Sequence, residues 1–151
     1  MNKKILLIEE DHKSTNLLKE KLELLGYDFL IAENGIKGIH IVHNENPDLI
    51  IIDCLLPNIN GCEVCSLIKR DIRYKDIPII MYSICKHNVI EDANLEKPDF
   101  IFHTPYKIDD FIIKIEELIK SSEAKKEEDR KKLIEQDMKW VNKNYISGTR
   151  I

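Results

Sequence analysis

The chain has 151 residues, 43% of them apolar and 33% charged, with a formal net charge of −4, which suits one domain with a real core and is too short for two of ordinary size. This balance excludes an intrinsically disordered chain, and 15 Lys and Arg against 21 Asp and Glu over residues 1–120 exclude a main body that binds nucleic acid by its field alone. The longest apolar runs, Ile5 to Ile8 and Leu49 to Ile52, fall far short of the roughly 18 residues of a membrane span, and the N-terminus lacks a secretory pattern, so no membrane partner and a cytoplasmic location are expected.

Ile5-Leu6-Leu7-Ile8 is continuously apolar, the pattern of a strand buried on both faces of a parallel sheet, and it stops at Glu9-Glu10-Asp11. From His12 the spacing turns helical, with Leu17, Leu18, Lys21, Leu22 and Leu25 in a stripe and Gly26 placed to cap the end. Tyr27 to Ala32 reads as a second strand, Asn34-Gly35 as a turn, and Ile36, Ile39, Ile41 and Val42 as a short helix. Leu49 to Ile52 is a third buried strand, and it too ends in acid, at Asp53. Pro57 and Gly61 bracket the loop before a helix carrying Val64, Leu67 and Ile68. Ile77 to Tyr82 and Phe100 to His103 give strands four and five, with a weak helical stretch from about Asn88 to Leu95 between them. Phe111, Ile112, Ile115, Leu118 and Ile119 mark the core face of a last helix. Five strands alternating with five helices, joined by right-handed crossovers, predict an α/β fold over residues 1–120: a flavodoxin-like doubly wound parallel sheet of order 2-1-3-4-5.

Beyond Lys120 the composition changes to Ser121-Ser122 and a charged stretch, so a separate helical tail is expected over residues 121–151. Ile134, Met138, Val141 and Tyr145 form its stripe, flanked by Leu133 and Trp140, and such a stripe is expected to pack on its own domain or on a second copy. Thirty-one residues are too few for a DNA-binding output domain, and no nucleic-acid partner is expected. Cys54, Cys62, Cys65 and Cys85 are irregularly spaced, with one C-x-x-C pair, and read as reduced, packed thiols rather than a zinc site. His40 and His43, three apart on a predicted helix, could ligate a metal on one face, but a short spacing alone carries little weight.

The acids at the strand ends carry more. In an open parallel sheet ligands bind beyond the carboxyl ends of the strands where the strand order reverses, and strands one and three flank that point. Glu9, Glu10 and Asp53 are therefore expected to converge. Like carboxylates at that range repel or raise one pKa unless a cation neutralises them, and a hard oxygen-seeking ion such as Mg2+ suits an open acidic site.

At these residues the sequence resembles the receiver domains of two-component response regulators, over residues 3 to about 120. Asp53-Cys54-Leu55-Leu56-Pro57-Asn58-Ile59-Asn60-Gly61 is similar to the family's phosphoacceptor Asp followed by an apolar residue, Pro and a turn Gly. Ile5 to Asp11 is similar to its first strand and acidic pocket, and Pro78 to Ser83 to its fourth strand ending in a hydroxyl. The resemblance implies that Asp53 is the nucleophile toward a phosphohistidine of a histidine kinase or phosphotransfer protein. It also implies that Glu10, Asp53 and the backbone carbonyl of Leu55 bind Mg2+, and that Glu9 holds a coordinated water. Ser83 would donate to the phosphoryl group and repack the face made by the fourth helix and fifth strand for a downstream protein. The implied molecule is a signalling switch, not an enzyme, and a cis bond is implied between Thr104 and Pro105.

Three departures stand out. Thr104 occupies the place of the family's Lys before Pro, Ile101 stands where a switch aromatic is usual although Phe100 and Phe102 flank it, and two glutamates replace aspartates. Lys86 or Lys107 could supply the missing cation. Two functions stay open on this reading: a phosphoacceptor switch, and a degenerate receiver that acts as a phosphorylation-independent interaction module.

Overall fold

The computed structural model describes residues 2–83 and 92–147. Cys85, Lys86 and the first half of the helical stretch expected from Asn88 lie outside them. Among the described residues the order is β1 (Lys4–Ile8), a 3-10 turn (His12–Thr15), α1 (Asn16–Leu24), β2 (Asp28–Ala32), α2 (Gly35–Glu45), β3 (Leu49–Asp53), α3 (Gly61–Arg70), β4 (Ile79–Ser83), β5 (Phe100–His103) and α4 (Ile108–Val141). All five strands are parallel, in the order β2-β1-β3-β4-β5. The predicted doubly wound sheet is thus observed.

The continuous apolar runs are buried on both faces because helices cover both. Leu6, Ile8, Ile50, Ile52, Ile79 and Met81 pack with Val42 of α2 and with Val64, Cys65 and Ile68 of α3. Residues of opposite parity, including Ile5, Leu7, Leu49, Ile51, Ile80 and Tyr82, pack with Leu18 and Leu22 of α1 and with Phe111, Ile115 and Ile119 of α4. The strand period of two sorts side chains between the two cores, and the same parity decides which groups meet beyond the strand ends.

Several element boundaries differ from the sequence reading. The helix expected from His12 opens as a 3-10 turn, with the Asp11 carboxylate accepting from the Lys13 N–H, and α1 buries only Leu18 and Leu22. Leu17 and Leu25 are exposed, so the five-residue stripe overstated its buried face. Strand β4 begins after Pro78, not at Ile77, because Pro carries no N–H; the ladder starts at Ile79, whose N–H donates to the Asp99 carboxylate, itself paired with Lys69 at 2.6 Å. Asp92 to Leu95 form a turn rather than the end of a helix, leaving four α-helices among the described residues.

The helix α4 runs through Ser121-Ser122 and continues to Val141. Ser carries only a small helix penalty, and Glu127 with Arg130 and Lys131, and Glu128 with Lys132, supply spaced pairs that each support a helix by a few tenths of a kcal/mol. The chain divides into two compact units, Met1–Ile119 and Lys120–Ile151. In the second unit Leu133, Ile134, Met138, Trp140 and Tyr145 are all exposed. No described helix is long and apolar enough to cross a membrane.

Cys54, Cys62 and Cys65 are buried thiols without a disulfide, and burial pushes the Cys65 thiol up to about 12. The Cys62 sulfur lies 3.9 Å from that of Met81. These thiols fill core volume. His43 stacks on Tyr74 with ring centroids 5.0 Å apart, and no cluster of three or more His, Cys, Asp or Glu able to hold a metal occurs among the described residues.

Gly61 sets the geometry of the β3–α3 loop. Its N–H donates to the Cys54 carbonyl, and a Cβ there would overlap the Asp53 carbonyl oxygen and approach the Cys54 Cα to 2.9 Å. Both obstacles are backbone, so they cannot rotate away. Gly61→Ala is expected to destabilise the chain by about 2 kcal/mol or more, read from urea denaturation; an unchanged midpoint would contradict this close approach.

Candidate acidic site at the strand ends

Strands β1 and β3 are neighbours at the point where the sheet order reverses, and their carboxyl ends deliver Glu9 and Asp53. Glu9 is buried. One of its carboxylate oxygens accepts from the Ser14 hydroxyl at 3.0 Å and the other from the Thr15 hydroxyl at 3.1 Å, so the 3-10 turn after β1 clamps the group. Asp53 is half-buried, and its Oδ1 accepts from the Leu55 N–H at 3.0 Å. Among the described residues it has no salt-bridge partner.

Burial raises the pKa of Glu9, the hydroxyls of Tyr82, Ser14 and Thr15 oppose the shift, and the charge of Asp53 adds to it. Burial likewise raises that of Asp53, against the Leu55 N–H. These shifts fix a sign. Above the ordinary values of 4.5 for Glu and 3.8 for Asp, the folded chain holds protons that the unfolded chain has released, so this pair's contribution to stability falls as pH rises toward the raised values. In chelator, the urea midpoint of Asp53→Asn is therefore expected to decline less over that window than the unaltered chain's; an equal decline would exclude Asp53 as a source of the effect.

The remaining predicted site residues are less gathered. Glu10 is exposed, and the expected three-acid cage is not preformed among the described residues. Leu55 is exposed, Ser83 is buried at the end of β4, and its carbonyl accepts from the Thr104 N–H at 2.9 Å. Thr104 is exposed, and its bond to Pro105 is cis. Lys107 is exposed too. Register settles the position of Ile101: it pairs with Met81 and packs on the α3 side, whereas Phe102 pairs with Tyr82 and stacks on Phe111 at 4.5 Å.

One group escaped the sequence reading. Tyr82 pairs with Asp53 in register, is 8% exposed, and its buried hydroxyl lies beside the Glu9 carboxylate without completing a hydrogen bond of good geometry. It lies near enough to Glu9 and Asp53 for their charges, after burial, to push its own pKa up. The signal available was parity: a Tyr opposite the acid of the neighbouring strand must share its face.

A parallel sheet with an acidic pair at its switch point defines a class of ligand-binding α/β domains. Residues 5–117 match the model of the response regulator receiver domain, and the chain belongs to that family of two-component signalling domains. The DNA-binding dual master transcriptional regulator RpaA of Synechocystis sp. is 30% identical over 122 residues, which are 80% of this chain and 50% of that regulator. The chain thus spans about half of that relative's length. A solved CheY-like receiver domain protein from Methanospirillum hungatei is 22% identical, with a TM-score of 0.71 over 83% of this chain and 99% of that one. The receiver domain of the sensor histidine kinase PA1611 of Pseudomonas aeruginosa, solved with magnesium coordinated in its active-site cleft, is 21% identical, with a TM-score of 0.67 over 79% of this chain and 98% of that one.

Proposed function

We propose that residues 1–120 form a phosphoacceptor receiver whose Asp53 takes a phosphoryl group from a histidine kinase or phosphotransfer protein, and that residues 121–151 are a helical tail outside the receiver. The observation that carries this reading is the meeting of Glu9 and Asp53 at the switch-point strand ends, where burial raises both carboxyl pKa values and a cation would favour the charged forms.

An Asp53 oxygen attacks phosphorus in line, the bond from phosphorus to the donor's imidazole nitrogen breaks, and the electron pair leaves with the imidazole, which takes up a proton. The donor set fits Mg2+, which needs only one or two carboxylates and keeps waters and phosphate oxygens for the rest. Asp53, Glu10 and the Leu55 carbonyl would hold the ion and Glu9 one of its waters; when bound, it neutralises charge on the reacting oxygens. Ser83 donates its hydroxyl to the transferred group, and the added charge biases a surface toward the form that a downstream protein binds.

The exposed Thr104 at the usual Lys position favours a second reading, a degenerate receiver that binds its partner without phosphorylation. Intact mass after incubation with Mg2+ and acetyl phosphate decides between them: a gain of roughly 80 Da supports the acceptor, and no gain leaves the interaction module.

A further inference from the structure

We propose that the Tyr82 hydroxyl is a ligand-binding donor of this site, which hydrogen-bonds an oxyanion carried on Asp53 from the side that Thr104 leaves without a cation. The inference rests on the phosphoacceptor reading and adds to it a residue whose ring fills the core but whose hydroxyl the core packing does not use.

The β3–β4 register sets Tyr82 beside Asp53, and parity puts both on the sheet face that also receives Glu9. The ring is held in place: it meets Tyr106 edge-on at 6.4 Å, and Tyr106 packs in turn against Phe102 and Phe111. The hydroxyl at its tip is therefore fixed and screened from water. A buried donor without an acceptor is unfavourable, and it persists where something else completes it.

The nearest acceptor, the Glu9 carboxylate, already receives two hydroxyls and leaves Tyr82 beside it without a well-formed bond. Both Glu9 oxygens accept from Ser14 and Thr15, and Asp53 Oδ1 accepts from the Leu55 N–H. An anionic oxygen arriving on Asp53 offers the Tyr82 hydroxyl a second acceptor, in place of its incomplete contact with Glu9. A preorganised phenol gives direction without charge, so it replaces part of what an ammonium would supply.

Tyr82→Phe removes one oxygen and keeps the ring packing. In the full chain, calorimetric titration with beryllofluoride in saturating Mg2+ is expected to show roughly ten- to hundredfold weaker binding in the variant, the loss typical of one hydrogen bond to a charged group. Affinity for Mg2+ alone should stay within about twofold, and the melting temperature without ligand should change little, because the hydroxyl makes no well-formed hydrogen bond in the free chain. Equal beryllofluoride affinity in the two proteins overturns this inference alone, and so does a matching fall in Mg2+ affinity, which would mark Tyr82 as structural support. If the unaltered chain binds no beryllofluoride, the phosphoacceptor reading fails and this inference with it.

Discussion

Asn in place of Asp53 is expected to abolish the gain of roughly 80 Da from Mg2+ and acetyl phosphate while leaving the chain folded. The amide is nearly isosteric with the carboxylate and keeps an oxygen to accept from the Leu55 N–H, so the loop after β3 holds its shape. It has no anionic oxygen to attack phosphorus, and it removes one of the two charges that face each other across β1 and β3. The variant should therefore melt no lower than the unaltered chain in chelator, since the repulsion with Glu9 has gone. Mg2+, which should raise the melting temperature of the unaltered chain, should raise that of the variant much less. A mass gain that persists in Asp53→Asn would place the acceptor on another residue, with Glu9 or Glu10 the first to test.

The sheet was readable because its central strands are buried on both faces. Leu49 to Ile52 has no polar face to present, and only a parallel sheet sandwiched by helices buries such a run. The meeting of Glu9 and Asp53 followed from the same logic, since neighbouring strands that end together bring their last residues together. What failed to show was set by longer context. Leu17 and Leu25 are as apolar as Leu18 and Leu22, and only the docking angle of α1 decides which pair is buried. The continuity of α4 past Ser121-Ser122 depends on charge pairs spread over the following turns, which outweigh a local signal of weak propensity. Tyr82 was hidden for the opposite reason: it reads as ordinary strand filler, and its hydroxyl gains meaning only when the register sets it beside Asp53.

Lys in place of Thr104 is expected to speed phosphorylation of Asp53 by a small donor by roughly two to three decades, since one preorganised charge clamp stabilises a transition state by about 3 to 4 kcal/mol. The Thr104 N–H bonds the Ser83 carbonyl and so carries the ladder one residue beyond β5, where strand alternation directs residue 104 to the face of Phe102, Tyr82, Asp53 and Glu9. A Lys on that face would add a charge on a long flexible stem, which the short neutral hydroxyl of the exposed Thr104 does not supply. The same charge should lower the raised carboxyl pKa values, so the gain in rate should come with a gain in stability above the ordinary carboxylate range. If Tyr82 serves as a neutral stand-in, the two groups share one task and their effects will not add. Tyr82→Phe should then weaken beryllofluoride binding markedly in the unaltered chain and only slightly in the Thr104→Lys background. Equal losses in both backgrounds would mean that phenol and ammonium act on different oxygens, and an unchanged phosphorylation rate in Thr104→Lys would reject Thr104 as the weak point of the site.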